Sequence, residues 1–294
     1  MNIIPNKAAV FILLGQSNAV GHALPMSEED KIAEPLKNVF GLSRNLNQTF
    51  DNDTLYWDGY TSFGMNLAEE QDNTYSVANC LVRQWQNAID EGENLPDLYI
   101  VHIAIGAQGV TKGYMWHPDY EKKLVPGVLG TVDISLFPFT VHILSHVKNS
   151  ISALGKTPEI IGIHWRGGEN DTSDSRDGLK SSLKDTYSTI FNGFYEALGE
   201  KAYTVLHRIV CRDRYFDLDP SGESAEKMDY INGVFEELCR ENGNVEMFDV
   251  RMFPGFVPDE RGNGLFIGDV VHFTPEVNKW VAESIIEKYK SDKI

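Results

Sequence analysis

A serine follows directly on a strongly apolar stretch near the start of the chain, in the tetrapeptide GQSN at residues 15–18. A tight glycine turn at the end of a strand lifts a serine hydroxyl out of the sheet, and neighbouring backbone N–H groups can then face an oxyanion. The same pattern is also typical of a serine that caps the N-terminus of a helix. Two interpretations of Ser17, nucleophile and helix cap, therefore stay open at this point.

A histidine with an upstream aspartate lies near the other end of the chain, in the sequence GDVVHF at residues 268–273. A serine hydroxyl ionises far above neutral pH, so a serine nucleophile needs a general base. The spacing of three allows Asp269 to accept a hydrogen bond from one ring nitrogen of His272 while the other nitrogen faces Ser17. An isolated DxxH sequence is more commonly a solvated carboxylate beside a capping histidine. Its combination with Ser17 is what predicts a Ser17–His272–Asp269 triad.

The elements that would position these residues alternate between short apolar strands and amphipathic helices. The predicted strands cover residues 8–14, 98–105 and 159–165, with weaker ones at 202–211 and 245–250. The predicted helices cover residues 77–89, 143–154, 179–198, 231–238 and 277–289. This order predicts an α/β fold with a three-layer, doubly wound sheet of about five parallel strands. The long, weakly periodic stretches 26–73 and 109–136 are predicted to be functional loops at the carboxyl edge of that sheet.

Composition limits the partners of the chain. Its 294 residues contain no linker, repeat or low-complexity tract, so we expect one domain over residues 1–294. The net charge of −17 disfavours nucleic acid and anionic membrane surfaces as partners. No apolar run approaches the roughly 20 residues of a spanning helix, and the segment 8–14 lacks the flanks of a signal peptide. We therefore expect a cytoplasmic protein, or a secreted or periplasmic one if a signal peptide has been removed.

Three motifs together resemble the SGNH hydrolases. They are GQSN at the first strand, GEND at residues 168–171 after the third predicted strand, and DVVHF at residues 269–273 before the last helix. The most similar branch is that of the sialate O-acetylesterase and acetyl xylan esterase-like carbohydrate esterases, and the resemblance runs from residue 8 to about residue 289. It implies a flavodoxin-like fold, Ser17 as nucleophile, and Asp269 and His272 as the rest of the triad. It implies no metal and no organic cofactor.

The same resemblance assigns an oxyanion site, with one departure. The donors would be the N–H of Ser17, a glycine N–H after the second strand, for which Gly106 fits best and Gly109 second, and a side-chain amide after the third strand. Relatives typically read WHQGESD there, whereas residues 165–171 read WRGGEND, so Gly167 takes the place of the amide. A missing donor typically costs about 10²–10³ in turnover. The candidates for this contact are Asn170, Gln108, Arg166 and the N–H of Gly167, and a slow enzyme is the alternative.

Further residues are assigned around this centre. By analogy with the family, Gln16 and Glu169 support the site, with Glu169 a hydrogen-bond acceptor that fixes its loop. Glu169 and Asp171 together could suggest a glycosidase pair, but such carboxylates usually stand on separate strands, so Asp171 is interpreted as solvated or capping. The predicted substrate contacts are Trp116, His117, Gln108 and Arg166.

These observations predict a serine esterase that hydrolyses O-acetyl esters on a carbohydrate through an acetyl-enzyme. A broad-specificity SGNH lipase-like or thioesterase-like hydrolase is the second interpretation, although the polar and aromatic loops favour sugar over lipid. A carbohydrate-binding protein with the same fold and weak turnover is the third, because Gly167 replaces the expected amide.

Overall fold

A seven-stranded sheet with helices on both faces forms the protein. The computed structural model describes residues 6–22, 24–47, 53–69, 71–121, 125–127, 130–132, 134–173, 179–210, 223–256, 265–267 and 271–292. The strands are β1 (Lys7–Gly15), β2 (Val39–Leu42), β3 (Trp57–Gly59), β4 (Asp97–Ala104), β5 (Val125–Gly127), β6 (Gly130–Val132), β7 (Thr157–Arg166), β8 (Thr204–His207) and β9 (Val245–Phe248). The helices are α1 (Ser17–Val20), α2 (Arg44–Asn47), α3 (Val77–Asp90), α4 (Leu136–Ala153), α5 (Leu179–Leu198), α6 (Glu223–Glu241) and α7 (Pro275–Ser291), with 3₁₀ turns at Glu169–Ser173 and Val250–Met252.

The main sheet has the order β3-β2-β4-β1-β7-β8-β9. Every neighbouring pair is parallel except β2 and β3, which are antiparallel. The α/β class and all five predicted strands are confirmed, but the predicted strand number of about five is too low. The two additional strands, β2 and β3, have only four and three residues at one edge, so they show little periodicity in the stretch that was predicted to be loop.

Three layers result because β1 is buried on both of its faces. Val10, Ile12 and Leu14 pack in one core with residues of α4, α5 and α6. Phe11 and Leu13 point to the opposite core, which includes residues of α3 and α7. The β1 strand has its neighbours β4 and β7 on either side, and the chain winds outward from there in both directions. Ligands of doubly wound sheets bind at such a switch point, outside the carboxyl ends of the strands.

Helix α7 begins as the sequence predicts. The side chain of Thr274 caps it by accepting a hydrogen bond from the N–H of Val277, Pro275 occupies the first turn, and Glu276 adds a carboxylate there. Proline lacks the N–H that would be unsatisfied at this position, and the carboxylate interacts favourably with the helix dipole. Because the start of α7 is fixed, the position of the segment just before it, which includes His272, is restricted.

Candidate active site

The turn that carries Ser17 is built by close contact between β1 and β7. Gly15 ends β1 with a φ of +143°, and a Cβ atom there would lie 2.1 Å from the carbonyl oxygen of Arg166, so only glycine fits. The N–H of Gln16 donates to that same carbonyl at 2.9 Å. Ser17 begins the one-turn helix α1 and is 7 % exposed. Because Gln16 holds the cap position of α1, the interpretation of Ser17 as a helix cap is wrong.

Asn18 ties the three sequence motifs together. Its side-chain Nδ2 donates to Glu169 Oε1 at 2.7 Å and to the carbonyl oxygen of Val271 at 3.1 Å. Its Oδ1 accepts from the N–H of Phe273 at 3.4 Å. Both neighbours of His272 are therefore held by the residue that follows Ser17. The structure brings together the serine turn, the GEND loop and the histidine segment, as the triad prediction requires.

The segment of His272 is also held from its other side. The N–H of Ile267 donates to the carbonyl oxygen of His272 at 3.1 Å, and Phe266 forms an antiparallel bridge with Phe273. The rings of these two phenylalanines stack at 5.6 Å. Asp269 lies outside the described residues, so its place in the triad stays a prediction.

A second histidine, which the sequence analysis did not single out, lies at the same place. The ring of His22 is 5.2 Å from the ring of His272, centroid to centroid, and the N–H of His22 donates to the carbonyl oxygen of Ser17 at 2.9 Å. His22 Nδ1 is buried and has no hydrogen-bond partner within the described part of the chain. The only sequence signal was its position just after the GQSN turn. Two imidazoles therefore lie beside each other near the candidate nucleophile, since a Cβ on Gly106 would be 3.9 Å from both His22 Nδ1 and Ser17 Cβ.

The predicted oxyanion donor Gly106 is next to Ser17, but its N–H is engaged. A Cβ on Gly106 would lie 3.9 Å from Ser17 Cβ, which places the two residues side by side. The Gly106 N–H donates to Glu69 Oε2 at 3.0 Å, and Glu69 is only 3 % exposed. In this conformation a buried carboxylate accepts the hydrogen of the Gly106 N–H, so the role of Gly106 as an oxyanion donor stays a prediction.

Arg166 is a packing residue and not a substrate contact, contrary to the prediction. It is 1 % exposed. Its Nη1 donates to the carbonyl oxygen of Asn18 at 3.0 Å and to Asn278 Oδ1 at 2.7 Å, and its guanidinium lies 5.2 Å from the ring centre of Phe273. Burial lowers the pKa of Arg166 to about 10. The buried cation joins the serine turn to α7 and to the histidine segment.

The loop after β7 contacts the serine turn through Gln16. The side-chain Oε1 of Gln16 accepts from the N–H of Asn170 at 3.4 Å, and Gln16 is 1 % exposed, as expected of a supporting residue. Beside Gly167, the indole of Trp165 occupies the space that a side chain would enter, because a Cβ there would lie 3.3 Å from Trp165 Nε1. The roles of Gly167 and Asn170 as oxyanion donors stay predictions.

Trp116, predicted to contact substrate, is instead part of the core. It is fully buried, its Nε1 donates to the carbonyl oxygen of Gly15 at 3.0 Å, and its ring meets that of Trp165 edge-on at 4.9 Å. A tryptophan in this position has no face left for a sugar. It supports the glycine that ends β1.

The other two predicted substrate contacts are partly exposed. His117 Nδ1 accepts from the N–H of Asp119 at 3.1 Å, and desolvation lowers the pKa of His117. Gln108 Oε1 accepts from the N–H of Met115 at 3.1 Å. Both side chains shape the loop after β4, and their contact with a substrate stays a prediction.

Asp171 is buried, and the interpretation of it as solvated or capping is wrong. Its carboxylate accepts from the N–H groups of Val110 and Thr111, each at 3.0 Å. It also fills the space beside Gly109, where a Cβ would lie 2.4 Å from Asp171 Oδ1. Burial raises the pKa of the Asp171 carboxyl to about 6, although the two backbone hydrogen bonds lower it. The carboxylate joins the loops that follow β4 and β7.

This raised pKa predicts a pH dependence of stability. An aspartate that titrates near 3.9 when unfolded and at about 6 when folded favours folding below the lower value, and that contribution is lost as pH rises through the higher one. The free energy of unfolding of the wild type, minus that of Asp171→Asn, should therefore fall by about 2–3 kcal/mol between about pH 4 and pH 7. Urea titrations of both proteins at the two pH values measure this difference. If this difference in free energy of unfolding stayed constant or rose with pH, the raised pKa of Asp171 in the folded protein would be contradicted.

One group of described side chains has the composition of a metal site, and it shares no residue with the site around Ser17. It consists of Asp53, His142 and His146.

No helix among the described residues is long and apolar enough to cross a bilayer.

Comparisons of structure identify the fold. The chain matches NanS with a TM-score of 0.64 and 14% identity over 98% of this chain and 99% of that one. It matches a protein from Arabidopsis thaliana with a TM-score of 0.58 and 14% identity over 98% and 99% of the two chains. A carbohydrate acetylesterase from Xanthomonas citri matches with a TM-score of 0.50 and 10% identity over 94% of this chain, which spans only 54% of that protein. The chain therefore shares the fold of these proteins, as the resemblance of its three motifs to the SGNH hydrolases implies.

Comparisons of sequence add nothing to this assignment. No protein-family profile and no curated protein sequence matches the chain.

Proposed function

We propose that this protein is a serine esterase that removes O-acetyl groups from a carbohydrate. The observation that carries the proposal is the Asn18 side chain, which holds both neighbours of His272 and the carboxylate of Glu169 beside the Ser17 turn. Such a fixed meeting of serine and histidine segments at the switch point of a doubly wound sheet is what nucleophilic catalysis needs. The carbohydrate acetylesterase named among the similar folds supports the sugar ester as substrate class.

The proposed reaction has two acyl-transfer steps. His272 accepts the proton of the Ser17 hydroxyl while Oγ attacks the ester carbonyl carbon, and the carbonyl oxygen becomes an oxyanion. When the C–O bond to the sugar breaks, His272 returns the proton to the departing sugar oxygen, and an acetyl-serine remains. Water then attacks the acetyl carbon with His272 again as base, which releases acetate and restores Ser17. In this proposal Asp269 accepts from the other ring nitrogen and fixes the tautomer of His272.

The oxyanion in this scheme needs donors beside Ser17. The N–H of Ser17 and the N–H of Gly106 are the proposed pair, with Gly167 or Asn170 as the third donor. Gly106 can contribute only when its hydrogen bond to Glu69 opens. A carboxylate this close to a developing oxyanion also opposes it electrostatically, and the effect is strong in a site with little water.

In this proposal the Glu69 carboxylate and the oxyanion compete for the N–H of Gly106, which predicts the effect of Glu69→Gln. Glutamine keeps the volume and an oxygen acceptor but removes the charge, so the oxyanion is less opposed and Gly106 is released more easily. We expect kcat for an aryl acetate to rise by about 3- to 10-fold. The matched control is Glu28→Gln, since the Glu28 side chain is 87% exposed, and it should leave kcat unchanged. A folded Glu69→Gln protein with kcat reduced 100-fold or more would show that Glu69 assists the reaction.

The substrate class is tested by acetate release. The panel contains acetylated xylan, an O-acetylated sialic acid, an aryl acetate, a long-chain aryl ester and an acyl thioester. We expect the highest kcat/KM on an acetylated sugar. A preference for the long-chain ester or the thioester would instead support a broad lipase-like or thioesterase-like hydrolase.

A second candidate function is a carbohydrate-binding protein without turnover. Two observations favour it: the Gly106 N–H is engaged by Glu69, and Gly167 stands where relatives have an amide. Binding of an acetylated glycan with no acetate release from any member of the panel would support this function over the esterase.

A further inference from the structure

Two histidines on α4 and one aspartate from another segment form a compact group on the surface. His142 and His146 are one helical turn apart, with ring centroids separated by 5.0 Å. His146 Nε2 lies 3.6 Å from Asp53 Oδ1. One ligand atom from each of the three residues lies within 4.8 Å of the other two. Since residues at i and i+4 share a helix face, the two imidazoles converge on the carboxylate by the geometry of the helix itself.

The segment that carries Asp53 is tied to the same helix. Trp57 Nε1 donates to Ser150 Oγ at 2.9 Å, and Ser150 is one further turn along α4 from His146. Asn47 Oδ1 accepts from the N–H of Tyr56 at 3.2 Å, and Asn47 is fully buried. One hydrogen bond that does not involve Asp53 therefore holds its segment against α4, and another holds it against α2. The meeting of carboxylate and imidazoles follows from the packing of the fold.

We propose that Asp53, His142 and His146 bind a divalent transition-metal ion, for which Zn²⁺ is the best fit. Two imidazole nitrogens and one carboxylate oxygen are a ligand set that zinc accepts, with metal–ligand distances of about 2.0–2.2 Å and water in the fourth position. The three ligand atoms now lie within 4.8 Å of one another, and small side-chain rotations bring them to these metal–ligand distances.

The site is open to solvent and lies on an acidic protein. The side chains of His146 and Asp53 are 28% and 81% exposed, so an ion can enter without any opening of the core. The net charge of −17 raises the local concentration of cations. A bound ion joins the segment of Asp53 to α4 and stabilises the folded chain. It takes no part in the ester chemistry around Ser17.

Isothermal titration of Zn²⁺ into the full-length, chelator-treated protein at about pH 7.5 tests the proposal. We expect one ion per chain with micromolar affinity. His142→Ala and His146→Ala should each lower this affinity by at least about 100-fold, because loss of a direct ligand exceeds the cost of losing an outer-shell partner. The matched control is His117→Ala, a partly exposed histidine outside the group, which should bind as the wild type does.

His22 and His272, whose rings lie beside each other near Ser17, are a rival zinc site. The zinc titrations therefore include His22→Ala. The proposal would be overturned if zinc still bound to both His142→Ala and His146→Ala, or if binding were lost in His22→Ala. It would also be overturned if the wild type bound no zinc up to about 1 mM. Thermal unfolding gives a readout independent of activity. Zn²⁺ should raise the Tm of the wild type, and Asp53→Asn should remove most of that increase. Aryl acetate hydrolysis should be unchanged in His146→Ala.

Discussion

Ser17→Ala should reduce kcat/KM for an aryl acetate by about 10⁴- to 10⁶-fold, because the proposed acyl-enzyme cannot form without its hydroxyl. The substitution removes a single oxygen at a residue that is 7 % exposed, at the start of a one-turn helix. The cap position of that helix belongs to Gln16, so α1 should form as before. Steady-state kinetics with the purified variant measure the loss.

The matched control for this variant is Ser152→Ala, a serine exposed on α4. It should retain wild-type kinetics. Circular dichroism and thermal unfolding of both variants separate loss of chemistry from loss of fold. A folded Ser17→Ala protein with more than about a tenth of wild-type kcat/KM would rule out Ser17 as the nucleophile.

The second large effect separates the two histidines beside Ser17. His272→Ala should lower kcat/KM by at least about 10³-fold, because no other group in the proposal accepts the serine proton. His22→Ala should cost less than about tenfold, or about 1.4 kcal/mol of barrier, since His22 only packs against His272. Both imidazoles are partly exposed and neither substitution disturbs the Asn18 hydrogen bonds, which use the backbone of residues 271 and 273.

The two histidine variants must be compared because the rings of His22 and His272 lie only 5.2 Å apart. A general base must hydrogen-bond the hydroxyl that it deprotonates, and both rings lie in the neighbourhood of Ser17. If His22→Ala were the more damaging substitution, the base would be His22, and the predicted role of Asp269 would fail with it. Both kcat and KM should be recorded, because loss of the base lowers kcat, whereas loss of uniform substrate binding raises KM and leaves kcat unchanged.

The fold could be predicted where periodicity was strong. The start of α7 followed from Thr274 and Pro275, and β1, β4 and β7 followed from continuous apolar runs. The edge strands β2 and β3 could not be predicted, because three or four residues paired at one side of a sheet carry almost no pattern.

The site could be predicted only in part, because its decisive contacts are long-range. Ser17 and His272 were identified by motif, and their segments do meet. No local spacing indicates that Glu69 reaches the N–H of Gly106 or that the ring of His22 lies beside His272.

Burial produced the remaining differences between prediction and structure. Trp116 and Arg166 have the chemistry of sugar-binding residues, and so they were predicted to contact substrate. In the structure Trp116 packs on β1, and Arg166 satisfies the carbonyl of Asn18. Asp171, expected in solvent, holds two buried N–H groups. A sequence states what a side chain can bind, whereas the packing of distant segments decides whether solvent reaches it.

The nucleophile can be observed directly with a fluorophosphonate probe, which phosphonylates a serine hydroxyl that a neighbouring base activates. Intact mass spectrometry of the full-length protein, followed by peptide mapping, reports the number and position of labels. The proposed mechanism predicts one label per chain, on Ser17, none on Ser17→Ala, and strongly slowed labelling of His272→Ala. An unlabelled wild-type protein, or a label on another serine, would contradict it.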